Sequence, residues 1–545
     1  MADGSIFRRS RSTHTALALA LFVALTLANA WPLAVAPNTM VGQHGDALFS
    51  VWRLAWVAHQ LRANPLHLFD GNIFYPEPRT LAYSDAMLLP SVVLAPFHWA
   101  GARPLVVYNL FLLSTFVLNA LAAYVLVFRL AGSYVAALIG GIIFAFSPYR
   151  FEHFDHLEMQ LSFWTPLAVL AWHRAVERQT TRDCLLVSAA VAAQILSCIY
   201  YAVFLITALG VMTAFWFWRT PLKAVRAAAM MLLPAMVVFA MYSLPYLGNR
   251  SRVGDRPAGE IATYSARFSD FVSAPSTNRL YGWTERFGAP ERHLFPGLVA
   301  VALVVVGLWP PVDRRRAIHA VALALAFQLA FGSNGWIYDL LYAWVLPYRG
   351  LRVPARADIL ILLGTAVLAG YGASRLAARL EPRRVAPIAM ALLLAATAIE
   401  YWSKPAVQTV NQRVSPWYPM LRTMPDAVVF EWPVTVPWRI GNMMDVGYMY
   451  RSTLHWRPLL NGYSGFYPQS YIVLLIRMRS FPDTGSIEYL QRSGATVLVL
   501  HESPKMRHVY ERAIERLARD PKIQLIGSGM DAGTRIAFFR LAAAR

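Results

Sequence analysis

The chain has 545 residues, 57% of them hydrophobic and only 15% charged, with a formal charge of +20, and its recurring apolar runs point to a multi-span helical membrane protein. Its cations are mostly Arg at the ends of apolar runs, where they read as topology signals and phosphate contacts and exclude a nucleic-acid-coating surface. The two cysteines, Cys184 and Cys198, fall in or beside one apolar run, which leaves no disulfide framework.

In chain order, Arg8, Arg9 and Arg11 precede an apolar stretch over 16–36 in the manner of a signal peptide. No convincing small-residue cleavage site follows, so a retained anchor is expected. Apolar runs then recur and predict about eleven membrane spans, near 14–35, 104–128, 134–147, 159–173, 184–198, 200–218, 224–246, 294–311, 317–332, 357–374 and 386–402. The expected fold class is an α-helical polytopic membrane protein with a small soluble α/β domain at its C-terminal end. The corresponding domains are 1–403, with large outer loops at 36–103 and 247–293, and 404–545.

The first loop, 36–103, carries Gly42-Gln43-His44-Gly45-Asp46 and then an apolar stripe of Leu48, Val51, Trp52, Ala55 and Trp56 with Arg53 opposite. That pattern predicts a helix lying in the membrane interface over 46–60. Asp46 at its head has two readings, a helix cap or the base of an active site whose lip is this loop. The following piece, 87–99, is short and interrupted by Pro90 and Pro96, so it is expected not to cross. With that parity the short inner segments hold 17 Lys and Arg in 53 residues, against 15 in 153 for the outer ones. The long loops and the last 140 or so residues then share the non-cytoplasmic side. Chemistry there has no nucleotide to draw on, and any activated substrate must come from the membrane.

On that same side lies Tyr149-Arg150-Phe151-Glu152-His153-Phe154-Asp155-His156-Leu157-Glu158. Two His and several acids invite a divalent metal ion, with His156, Glu158 and a donor from elsewhere, Asp46, as ligands. On a continuous helix His153 and His156 share one face while Asp155 and Glu158 share the other, so no more than two of these can meet one ion. Substrate binding without a metal is the second reading. Between the ninth and tenth spans, Arg349, Arg352 and Arg356 are spaced by Gly350 and Pro354. Three guanidinium forks can converge on phosphate oxygens, or anchor to lipid headgroups.

Beyond Lys404 the composition shifts. Runs at 427–434, 495–500, 523–527 and 534–541 predict strands, and 486–492 and 505–519 predict amphipathic helices. The aromatic stretch Tyr448 to Pro468, with His455, Arg457 and Asn461 interleaved, suits sugar rings or an aromatic belt on the bilayer. No P-loop, dinucleotide glycine signature, Gly-x-Ser-x-Gly or paired CxxC is present, which argues against nucleotide-driven transport and serine hydrolysis.

In layout the chain resembles the GT-C glycosyltransferases that use polyprenyl-phosphate sugars. The resemblance rests on an outer acid soon after the first span (Gly45-Asp46), the interfacial helix and a second outer acid motif (Phe154-Asp155). The tail, with His455-Trp456-Arg457-Pro458 and Asn461-Gly462-Tyr463, is similar to the outer domain of large bacterial GT-C-like proteins. A single acid stands at 46 where many members have an adjacent pair, so Asp85 and Asp70 are alternative bases.

The resemblance implies inverting sugar transfer from a polyprenyl-phosphate donor to an envelope glycan, lipid or protein, outside the cytoplasm of a bacterial inner membrane. Asp46 and Asp155 would be catalytic, and Asp85, His153, Arg349, Arg352 and Arg356 would bind substrate. Membrane lipids are the surroundings; no nucleotide or nucleic acid is expected. The competing expectation is a non-catalytic scaffold or a transporter for envelope assembly, of which the transporter would carry ionisable groups deep in its spans.

Overall fold

A computed structural model describes residues 3–380, 385–434 and 443–542, with side chains for 13–380, 385–434 and 444–542. The chain is mostly helical. Among the described residues five helices are long and apolar enough to cross a membrane: Pro104–Ala131, Tyr134–Glu152, Ile199–Trp216, Pro221–Val253 and Pro354–Leu380. The protein is therefore an integral membrane protein. Helices occupy the other six expected positions too, but the expected count of about eleven spans is not met by length. Leu298–Leu308, for example, has 11 residues, or about 17 Å at 1.5 Å per residue, against a hydrocarbon core of about 30 Å.

Two compact units result. The first comprises Met1–Val35, Leu110–Ser243 and Asp255–Ala406; the second comprises Ala36–Asn109, Leu244–Gly254 and Val407–Arg545. In the first unit, Leu298–Leu308 and Asp358–Leu380 pack together through small residues. A Cβ on Gly307 would run into the Leu368 carbonyl oxygen, and one on Gly372 into that of Leu303. Only hydrogen fits between these backbones, a standard way for membrane helices to approach closely. Buried amides tie other helices to the loop between them: Asn119 donates to the Gln160 carbonyl at 2.7 Å, and Gln194 to that of Leu161 at 2.8 Å.

The second unit is organised round the helix Gly45–Ala63. Almost every residue of this helix from Ala47 to Ala58 is buried, which corrects the expected interfacial helix with one exposed polar face. Arg53, placed on that face by periodicity, is fully buried; it donates to the Asp85 carbonyl at 2.8 Å and the Ser50 hydroxyl at 2.7 Å. Residues 87–99 form the 12-residue helix Leu88–Trp99, about 18 Å long.

The tail supplies strands β3 (Val429–Trp432), β4 (Val497–His501), β5 (Ile523–Asp531) and β6 (Thr534–Leu541). They form one sheet in the order β3-β4-β6-β5, with β3 and β4 parallel and the other pairs antiparallel. The tail does not close on itself, and the division differs from the boundary expected at 403. Strand β1 (Met40–Gly42) pairs with β2 (Val407–Thr409). The Phe74 and Tyr75 amides donate to the Asn461 and Leu459 carbonyls, at 3.0 and 2.8 Å. Asn72 accepts from Trp52 and donates to the Ser452 hydroxyl and the Arg457 carbonyl. The sequence had no local signal for these long-range pairings.

Candidate functional site

In the second unit, the first-loop acid sits at the head of the buried helix. The cap is His44, with extended backbone at φ −81° and ψ 150°. Its Nδ1 lies 3.3 Å from the Asp46 amide and 3.0 Å from an Asp46 carboxylate oxygen. Asp46 is thus in the first turn, where the helix dipole favours a carboxylate, and the capping duty falls to its neighbour. The other carboxylate oxygen accepts a hydrogen bond from the Tyr463 hydroxyl at 3.0 Å. Tyr463 is itself set edge-on against Phe49, 5.5 Å between ring centroids. With 17% of its side-chain surface exposed, the carboxylate is held but reachable.

The alternative acids are held by groups of their own loop. Asp85 accepts from the Met87 amide through its side chain and from Arg53 through its carbonyl. Asp70 pairs with His67 at 2.8 Å and accepts from the Arg79 amide at 2.8 Å. Much of the aromatic stretch is core: Tyr448, His455, Asn461 and Ser464 are buried. Asn461 donates to the Glu431 carbonyl and to Asp445, and accepts from the Glu431 amide. Burial pushes the His455 imidazole down to about 3, assisted by Arg457.

In the first unit a second polar cluster forms around Glu291. The Arg356 guanidinium grips it with two bonds, Nε to Oε2 at 3.0 Å and Nη2 to Oε1 at 2.9 Å. His153 Nδ1 and His156 Nε2 lie 3.9 and 3.8 Å from the same carboxylate. Glu291 has a left-handed backbone, φ +71°, and its amide donates to Glu152 at 2.9 Å. Glu152 also lies 3.0 Å from His293 Nδ1. Burial alone would raise the Glu291 carboxyl, but Arg356, His153 and His156 outweigh it and hold it well below the ordinary carboxylate range. Burial dominates at His153 and lowers it, since the nearby carboxylate only partly offsets the loss of water. At His293 burial is overcome by Glu152 and Glu285, and the imidazole is raised.

The segment 149–158 is not one continuous helix. It is a short helix Pro148–Glu152, a turn over His153 to His156, and another short helix Leu157–Gln160. The turn, in place of a helical face, brings His153 and His156 to 5.4 Å between ring centroids. Asp155 is half-buried in that turn, and Glu158 is buried and acts electrostatically on Arg356. Among the described residues of this unit taken by itself, no three His, Cys, Asp or Glu ligand atoms lie within 4.8 Å of one another. The fork of Arg356 already occupies both Glu291 oxygens, so a cation placed there would meet a resident positive charge.

The expected convergence of the three arginines is also corrected. Arg349 turns back onto the Tyr342 and Ala343 carbonyls, at 3.1 and 2.7 Å. Arg352 lies over Tyr264 and 3.9 Å from Glu260, and only Arg356 reaches the histidine cluster. Each guanidinium takes the nearest acceptor because an unsatisfied one is costly out of water.

Glu152, Glu291 and His293 were not singled out in the sequence. The triplet Glu291-Arg292-His293, placed just before an apolar run as Glu152-His153 follows one, was the available signal. The sequence also passed over two buried imidazoles: His173 and His319 lie Nε2 to Nε2 at 3.0 Å. With the fully buried Arg150 and Asp358, they show that ionisable groups are present inside the helical unit.

A family model described as "Domain of unknown function (DUF6311)" matches residues 15–334. No curated protein matches the chain. Among solved structures, the chain is similar to the cryo-EM structure of the arabinofuranosyltransferase AftD from mycobacteria, at 14% identity and a TM-score of 0.59. That match covers 97% of this chain and 41% of the mycobacterial one, so the chain spans about two fifths of that protein's length. At this identity the likeness is one of fold.

Proposed function

We propose, for a chain that belongs to the family described as domain of unknown function DUF6311, that it transfers a sugar from a polyprenyl-phosphate donor to a hydroxyl of an envelope glycan, lipid or protein, on the non-cytoplasmic face of the membrane. Support comes from a fold shared with a mycobacterial arabinofuranosyltransferase and from the chemistry of the side chains. The single observation that carries the reading is Asp46: a reachable carboxylate in the first turn of a buried helix, steadied by the Tyr463 hydroxyl at 3.0 Å.

Such a donor already carries a good leaving group. The acceptor oxygen attacks the anomeric carbon, the bond from that carbon to the phosphate oxygen breaks, and polyprenyl phosphate departs with the electron pair. One displacement inverts the anomeric centre. Asp46 takes the proton of the acceptor hydroxyl as its oxygen attacks. The departing phosphate needs cationic donors; the first unit, taken by itself, offers Arg352 and Arg356 as groups of that chemistry, with His153 as a further hydrogen-bonding group. Arg349, folded onto its own loop, contributes least. In the first unit Asp155 is the acid available to orient an acceptor, and a divalent metal ion is the alternative to the arginines for stabilising the phosphate.

The reading is tested by lipid mass spectrometry of a strain lacking this chain. Accumulation of one polyprenyl-phosphate sugar, with loss of that sugar from an envelope polymer, is the expected outcome. An unchanged lipid pool and unchanged polymers would overturn it. A second reading, export of an envelope lipid or polysaccharide, draws on the buried His173–His319 pair. It predicts instead a complete polymer retained on the inner face, with no sugar missing.

A further inference from the structure

The helix Ile337–Trp344 has eight residues, about 12 Å, and carries its apolar side chains on the outside. Trp336, Leu340 and Trp344, spaced by four, are 71%, 56% and 81% exposed. The inward side is formed by tyrosines with polar tips. Tyr338 is fully buried, with its hydroxyl donating to the Leu351 carbonyl at 3.2 Å, and the Tyr342 hydroxyl donates to the Arg256 carbonyl at 3.2 Å. A helix in water has the reverse arrangement.

Three further observations belong to the same surface. Arg349 donates to the Tyr342 and Ala343 carbonyls, so acceptors in the last turn are satisfied from within the protein. The exposed apolar side chains continue through Val345 and Leu346. At the preceding end, Phe268 is 83% exposed and packs on Phe331, the residue that ends the helix Arg314–Ala330. The segment thus joins the helix Arg314–Ala330 to the span-length helix Pro354–Leu380, which starts ten residues after Trp344. Asp339, the single acid of the helix, lies about 100° round from the centre of the exposed face.

We infer that the Ile337–Trp344 helix lies flat in the membrane interface, with Trp336, Leu340 and Trp344 seated at the boundary between lipid headgroups and acyl chains. Tryptophan concentrates at that boundary because its ring is apolar and its N–H is not. An exposed apolar face that lies ten residues before the span-length helix Pro354–Leu380 fits lipid.

The test is spin labelling of the full chain in vesicles of phosphatidylethanolamine and phosphatidylglycerol, with Cys184 and Cys198 left in place because both are buried. Labels at Leu340→Cys and, separately, Ala343→Cys are compared with one at the exposed Glu515→Cys. Collision with oxygen, which concentrates in lipid, should exceed collision with a water-soluble nickel chelate several-fold at 340 and 343, and the order should reverse at 515. Nickel accessibility at 340 and 343 equal to that at 515 would overturn the inference. Protection from both reagents would overturn it too, by pointing to a protein contact.

Discussion

Single ionisable groups, held by one or two neighbours each, carry most of the chemistry. Tyr463→Phe removes one hydrogen bond to the Asp46 carboxylate, and a bond to a charged group is worth about 1.5 kcal/mol or more. Transfer should slow by about tenfold while the acceptor KM and the amount of folded protein stay unchanged. An unaltered rate would remove Tyr463 from any positioning role. Glu291→Gln strips Arg356 of its carboxylate, and breaking a buried pair of this kind costs about 3–5 kcal/mol. The melting temperature in detergent should fall, and Glu291→Gln combined with Arg356→Gln should recover part of the loss; a double variant no better than the single one would contradict the pairing.

His455 gives a pH dependence. Its buried ring refuses a proton until about pH 3 when folded, yet takes one near 6.5 when unfolded. Stability should therefore decline as pH drops below about 6.5, by about 1.4 kcal/mol per unit for this one group. His455→Asn, which keeps an acceptor for the Arg457 amide, should flatten the decline of Tm between pH 6.5 and 5; an identical slope would rule His455 out as its source. Asp46 was legible in the sequence because an acid preceding an apolar stripe needs only local reading. Glu291 was not, since its importance comes from a left-handed backbone and from Arg356, 65 residues away.

At the element scale, apolar periodicity located helices well and misjudged their surroundings. It placed a helix after Asp46, but could not reveal that the opposite face is covered as well, with Arg53 satisfied by the Asp85 carbonyl. The tail strands were legible as short β-branched or apolar runs, and all four were found near the expected positions. Close helix approach was not legible, because an isolated glycine in an apolar run says nothing of its partner. Gly307→Ala and Gly372→Ala each drive a methyl group into a backbone carbonyl. Each should lower stability by about 1–3 kcal/mol, the usual range for overpacking. A pair of variants that melt like the parent would mean these two helices are not packed as described.

At the scale of the whole molecule, composition alone marked a helical membrane protein. Span number was harder to read, since apolar helices of 11 to 17 residues resemble short spans in sequence, and among the described residues five helices reach spanning length. The division of the chain was not legible either, because β1 and β2 pair across more than 360 residues. The proposed reaction joins these scales by asking one carboxylate to activate an acceptor for a donor delivered in the membrane. Its most direct test is the polyprenyl-phosphate sugar pool of the deletion strain re-supplied with either the parent chain or Asp46→Asn at equal membrane abundance. The parent should return the pool to its normal level, and Asp46→Asn should leave the donor accumulated, in line with a base worth about 10²–10⁴-fold in rate. Clearance of the donor by Asp46→Asn as complete as by the parent would contradict the account.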